Sequence, residues 1–96
     1  MNTPDKAEPL TATREITINN ELGLHARPAA AFVKCANRFR AEISLVIDGA
    51  RYSATSLIEV LAANLDRGAT ATVEAHGPDA EEAVDALVTL VSQLRE

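Results

Sequence analysis

The sequence predicts a two-layer α+β domain in which helices cover one face of an antiparallel sheet. Three observations carry this: short segments with alternating apolar residues, longer segments with apolar residues at helical spacing, and an Asp48-Gly49 dipeptide joining two of the former. The 96 residues, 47% of them hydrophobic, suit one compact domain and are too few for two.

Taken in order, Arg14 to Asn19 places Ile16 and Ile18 on one face, as in a half-buried strand, and Asn19 to Gly23 reads as a turn. From Ala26 to about Asn37, Ala29, Phe32, Val33 and Ala36 recur on one side of a helix, with Lys34 and Arg38 directed elsewhere. Ala41 to Ile47 alternates through Ile43, Leu45 and Ile47, and Asp48-Gly49 then turns the chain into a short antiparallel strand, Ala50 to Ala54. Ser56 and Glu59 have the spacing of a capping box, so a short helix carrying Leu57, Ile58 and Leu61 should run to about Ala63 and stop near Asn64. Ala69 to His76 is strand-like, and His76 before Gly77-Pro78 reads as a turn residue. Asp79 is placed to cap the last and longest helix, with Glu82 at its third position and Ala80, Val84, Leu87, Val91 and Leu94 on its buried face. This order of elements fits several two-layer folds, ferredoxin-like binding domains among them, so topology alone does not select a function.

Composition removes some functions. The net charge of −5 and the presence of only Phe32, Phe39 and Tyr52 as aromatics argue against a nucleic-acid partner, which would call for a basic surplus and stacking platforms. Charge is unevenly spread: no acid lies between Glu21 and Glu42, where Arg27, Lys34, Arg38 and Arg40 fall, while Asp79, Glu81, Glu82 and Asp85 crowd the start of the last helix. Such a basic element suits an acidic partner surface, although solvated faces give the same pattern. Cys35 is the single cysteine and lacks a motif around it, so it reads as structural, in a reducing compartment. Residues 1–13 are polar, contain Pro4 and Pro9 and have no signal-peptide pattern, so they read as a flexible tail before a domain over 14–96. No metal-ligand spacing, phosphate-cradling glycine loop or membrane-length apolar run is present. The expected protein is cytoplasmic and monomeric, without cofactor, metal or membrane insertion.

Chemistry concentrates in Gly23-Leu24-His25-Ala26-Arg27-Pro28-Ala29-Ala30. Gly23 permits a sharp turn, and Pro28 sits in the first helical turn, where a missing N–H costs nothing. His25 at the helix entrance would face unsatisfied N–H groups and the positive end of the helix dipole. Arg27 adds a planar, permanently charged fork for phosphate oxygens. A neutral imidazole is a nucleophile, so the set provides a nucleophile, an anion site and a charge clamp. A histidine that only caps a helix beside a surface arginine is the plain alternative.

This stretch resembles the active-site signature of HPr, the histidine-containing phosphocarrier family of the bacterial phosphoenolpyruvate-dependent phosphotransferase system. The similarity runs from about Glu15 to Leu94 and includes Phe32-Val33-Lys34, Phe39, Ser56-Leu57 and Gly68. It implies an open-faced β-sandwich with a four-stranded antiparallel sheet in the order 1-4-2-3 and three helices on one face. It further implies that His25 accepts phosphate at Nδ1 from enzyme I and delivers it to a histidine of an enzyme IIA domain, with Arg27 neutralising the phosphate. The protein would be a carrier with a covalent phosphohistidine intermediate, not a stand-alone enzyme.

By the same resemblance, Ser56 stands where an HPr kinase/phosphorylase modifies a regulatory serine, a role compatible with capping. Glu59 would oppose a phosphate there if the capping box brings its carboxylate close. Ala30, Lys34, Leu57, Ile58 and Leu61 would form the docking face beside His25, although one or two of the three α-helical apolar residues at 57, 58 and 61 should instead be buried. Family members often have basic residues where Asn37 and Glu59 stand, and other types at Thr55 and Asn64, so partner choice can differ. The alternative function is a regulatory or nitrogen-related module controlled through His25 or Ser56.

Overall fold

The computed structural model describes residues 10–95. In chain order these form β1 (Thr11–Thr17), α1 (Ala26–Ala36), β2 (Glu42–Ile47), β3 (Ala50–Ser53), α2 (Leu57–Ala62), β4 (Thr70–His76) and α3 (Ala80–Ser92). The strands make one antiparallel sheet in the order β1-β4-β2-β3, and the three helices cover one face, as the resemblance implies. Ala12, Ile16, Ile43, Leu45, Ala71, Val73 and Ala75 point into the core, while Thr13, Glu15, Ser44, Thr72 and Glu74 belong to the other face. Phe32 from α1 is fully buried and is the largest such side chain, in a core otherwise aliphatic. Burial of a side chain of that size contributes about 2–3 kcal/mol.

β1 begins at Thr11 rather than Arg14. Thr11 pairs with His76 across β4, and the Leu10 carbonyl accepts from Gly77 N at 2.7 Å, so the ladder extends as far as its partner strand. The extra turn of alternation was carried by Ala12, too small to register as an apolar signal, and of the tail expected over 1–13, residues 1–9 lie outside the described residues. The hairpin follows its dipeptide: Asp48 and Gly49 both have positive φ, 51° and 84°, and Ile47 pairs with Ala50.

Asp79 does not cap α3. It occupies the N-cap position without a side-chain capping bond, and its carboxylate instead accepts from the backbone N–H groups of Arg40 at 2.9 Å and Ala41 at 2.8 Å, anchoring the entry to β2. These bonds, the one to Arg40 foremost, hold its carboxyl below the ordinary aspartate value. Glu81 and Asp85 are likewise engaged internally, both with the Arg14 guanidinium, at 2.6 and 3.2 Å. Three of the four acids crowding this helix start thus hold elements of the fold together.

In α2, Ser56 caps as expected, its Oγ accepting from Glu59 N at 3.3 Å. The return bond differs: the Glu59 carboxylate accepts from Ser53 N at 2.7 Å, tying α2 to the end of β3 and leaving the Ser56 N–H to the Ser53 carbonyl at 3.3 Å. The expectation that one or two of Leu57, Ile58 and Leu61 are buried is wrong. They are 40%, 80% and 40% exposed, because a six-residue helix presents little more than one stripe to the core and Val60 fills it.

The turn before α1 is fixed by contact with the chain following α2. Gly23 has φ +69°, and a Cβ there would stand 2.7 Å from the Leu65 carbonyl oxygen and 2.8 Å from Asp66 Cα. Beside it, Leu24 N donates to the same carbonyl at 2.8 Å. Only glycine satisfies both the backbone angle and the approach.

Two expectations follow. Gly23→Ala should lose about 2 kcal/mol or more of unfolding free energy in urea titration. Asp79→Asn, which keeps one acceptor and loses the charge, should lower the melting temperature at neutral pH. A carboxyl depressed in the fold stabilises above its unfolded value and loses that contribution as pH falls through the folded one. The gap between Asp79→Asn and the parent should therefore narrow as pH is taken below 3.8, the ordinary aspartate value, as followed by circular dichroism.

Candidate functional site

His25 is the N-cap residue of α1, with extended backbone (φ −80°, ψ −170°) and no side-chain capping bond. Its carbonyl already accepts the first helical bond, from Ala29 N at 2.8 Å, so the residue does its helical work through the backbone and leaves the ring uncommitted. The ring is half-buried. Nε2 is closed off from solvent and has no hydrogen-bond partner.

The surroundings favour an anion. A depression is lined by Asn20, His25, Arg27, Pro28, Ala31, Gln93, Leu94 and Arg95, and no acidic side chain occurs among these described residues. The first turn of α1 contains no acid either, so the positive helix end is not offset locally. Arg27 is the second residue of the helix and exposed, and Pro28 is the third and buried. A nucleophilic ring, a helix terminus and two guanidinium-bearing residues therefore meet at one place.

The residues expected to form the docking face fall on two neighbouring helices. At the far end of α1, Asn37 Nδ2 donates to the Val33 carbonyl at 2.9 Å and to the Thr55 carbonyl at 3.3 Å, joining the exit of α1 to the entry of α2. At the near end, Leu65 meets Gly23. α2 and the residues after it therefore run back along α1 in the opposite direction. Ser56 lies by the Asn37 end and His25 by the Gly23 end, separated by the length of an 11-residue helix, about 16 Å. Ala30 and Lys34 are exposed on α1, and Leu57, Ile58 and Leu61 are exposed on α2, with Leu61 the nearer to the His25 end along the helix. Cys35 faces inward, where burial pushes its thiol pKa up, so it is not an activated nucleophile. His76 ends β4 at the sheet surface, its Nδ1 3.1 Å from Thr11 Oγ1, away from this site.

Two contributions were not visible in the sequence. Asn20 is 6% exposed and is the single buried polar residue among the described ones; its Nδ2 donates to the Gly23 carbonyl at 2.7 Å. An asparagine three residues before a turn glycine is the signal that could have singled it out. Gln93, Leu94 and Arg95 come to the histidine from the other end of the chain, which no local pattern reveals.

Comparison with known proteins agrees with this geometry. The family described as the PTS HPr component phosphorylation site matches residues 12–93. The phosphocarrier protein HPr of Vibrio cholerae is 44% identical over 81 residues, 84% of this chain and 95% of the relative. The phosphocarrier protein NPr of Shewanella violacea is 41% identical over 78 residues, 81% of this chain and 86% of the relative. The crystal structure of HPr-C-His from Thermoanaerobacter tengcongensis is similar at a TM-score of 0.82 and 37% identity, covering 84% of this chain and 91% of that one. With its sheet order, its histidine at the α1 N-cap position and these matches in agreement, the chain belongs to the HPr family of phosphotransferase-system phosphocarriers.

Proposed function

We propose that this protein accepts a phosphoryl group on Nδ1 of His25 from phosphorylated enzyme I and hands it to a histidine of an enzyme IIA domain in sugar uptake. The observation that carries the reading is the uncommitted ring at the α1 N-cap, with Nε2 enclosed and unpaired. In each transfer the accepting ring nitrogen forms a bond to phosphorus in line with the donor nitrogen, whose bond to phosphorus breaks and whose electron pair returns to its ring. No proton need move, so alignment and neutralisation of oxygen charge supply most of the catalysis. Arg27 and the α1 terminus do the neutralising on the carrier's side.

Both partners must reach the same nitrogen, so both use the same face; we further propose that the carrier acts as a monomer in the cytoplasm. Exposed Leu57, Ile58 and Leu61 provide apolar anchors, and Ala30 and Lys34 extend the face along α1. Ser56 at the α2 N-cap is the regulatory position. A phosphate added by an HPr kinase/phosphorylase would be favoured by the helix terminus, and with Glu59 it would make that end of the face acidic.

A second reading, a nitrogen-related regulatory carrier, is supported by the NPr relative and by Asn37 and Glu59, which make the α2 end of the face less basic. It predicts label from a dedicated enzyme I and no transfer to sugar-specific IIA domains.

The test is incubation with labelled phosphoenolpyruvate and enzyme I. The expected product is an acid-labile, base-stable phosphoprotein, absent in His25→Ala; label that survives His25→Ala would rule the assignment out. Arg27→Ala should still accept label but pass it on about 10- to 100-fold more slowly in rapid-quench experiments, the loss expected for one charge-assisted bond to a phosphoryl oxygen. With an HPr kinase/phosphorylase present, label from ATP should appear in the parent and be missing from Ser56→Ala.

A further inference from the structure

Asn20 and His25 line the same depression beside α1, and each has a buried side-chain atom without a partner, Oδ1 and Nε2. An unpaired buried polar atom is costly, and two of complementary type at one site point to a bond made in another state of the protein. The amide orientation is not ambiguous. The Gly23 carbonyl only accepts, so the atom 2.7 Å from it is the NH2 nitrogen and the atom left over is the oxygen. Oδ1 only accepts. Nε2 donates whenever Nδ1 supplies the electron pair, because the ring proton then resides on Nε2.

We infer that Asn20 is a positioning residue for phosphoryl transfer: its Oδ1 accepts the Nε2–H of His25, directly or through one water, once Nδ1 bonds to phosphorus. The inference rests on the carrier reading above. When the Nδ1 electron pair forms the N–P bond, the ring retains its Nε2 proton and becomes cationic, so the donor at Nε2 strengthens as the phosphoryl group arrives. In the unphosphorylated protein the two atoms are unbonded to each other. The acceptor is therefore stronger for the phosphorylated ring than for the free one, which is the differential interaction that favours transfer. The same amide holds the turn that presents the ring, since Nδ2 secures the Gly23 carbonyl and Gly23 in turn rests on Leu65 and Asp66. Asn20 is 6% exposed, so its orientation is fixed by packing as well as by that bond.

The experiment uses the full chain with 15N-labelled histidine, phosphorylated by phosphoramidate, a small donor that requires no partner protein. The Nε2–H signal of His25 is then followed for exchange with water. The parent should exchange at least about tenfold more slowly than Asn20→Ala, the factor for one hydrogen bond of ordinary strength. Asn20→Asp retains the acceptor and loses the donor to Gly23, so it should match or exceed the parent's protection. If Asn20 served only the Gly23 turn, Asn20→Ala and Asn20→Asp would exchange alike, and that result would overturn the inference, as would phosphorylation at Nε2. Should Asn20→Ala fail to fold, the comparison of the parent with Asn20→Asp decides it: unchanged or increased protection in Asn20→Asp supports the inference, and a loss overturns it. Failure to label with enzyme I would defeat the carrier reading separately, because phosphoramidate bypasses enzyme I.

Discussion

The close approach of Gly23 to the backbone of Leu65 and Asp66 is the contact on which the site depends. It sets the angle at which the chain leaves the first strand and enters α1, and therefore where His25 stands relative to the helix terminus. A side chain at position 23 would push the turn away from Leu65 and break the Leu24–Leu65 hydrogen bond that lies beside it. Asn20 reinforces the arrangement from the other side by holding the Gly23 carbonyl. His25 is thus placed by a backbone contact between two loops, while the sheet beneath supplies the rigidity that keeps those loops in register.

The helical layer turns this placement into a surface. α1 is held at its two ends by different parts of the segment around α2: Thr55 receives Asn37 at one end and Leu65 meets Gly23 at the other. The short α2 therefore lies alongside α1 with a single residue, Val60, committed to the core. Its remaining apolar residues stay outside, at a cost in solvation that a monomeric fold would ordinarily avoid. Glu59 stiffens that helix by reaching back to Ser53, so a face that looks underpacked is nonetheless fixed in orientation.

Most of the fold was legible from the sequence, because its rules are local. Alternation located the strands, helical spacing located α1 and α3, and Asp48-Gly49 specified the hairpin. The strand order was not contained in these patterns and came from resemblance. The misreadings share a cause. Asp79 and Glu59 were both assigned to the nearest helix terminus, yet Asp79 bonds residues 38 and 39 positions away and Glu59 bonds six residues back. A carboxylate at a helix start has several N–H groups within reach, and packing decides among them. Likewise, spacing identified Leu57, Ile58 and Leu61 as apolar but could not tell a core stripe from a surface one in so short a helix.

The same distinction explains which part of the site was readable. His25, Arg27 and Pro28 fall within four consecutive residues at a helix terminus, so their proximity follows from sequence separation, while the role proposed for them came from resemblance. The residues from Gln93 to Arg95 line the same depression only because the fold brings α3 back to the start of α1, and the inward orientation of Asn20 is set by packing. What a local pattern identifies is a candidate reactive group and the arginine beside it; what tertiary structure adds is the environment of the second ring nitrogen. For an imidazole this second nitrogen decides which atom is nucleophilic, since the proton can reside on only one of them in the neutral ring. Here that nitrogen is enclosed and unpaired, so the partner it would gain on phosphorylation is what the proposed transfer turns on.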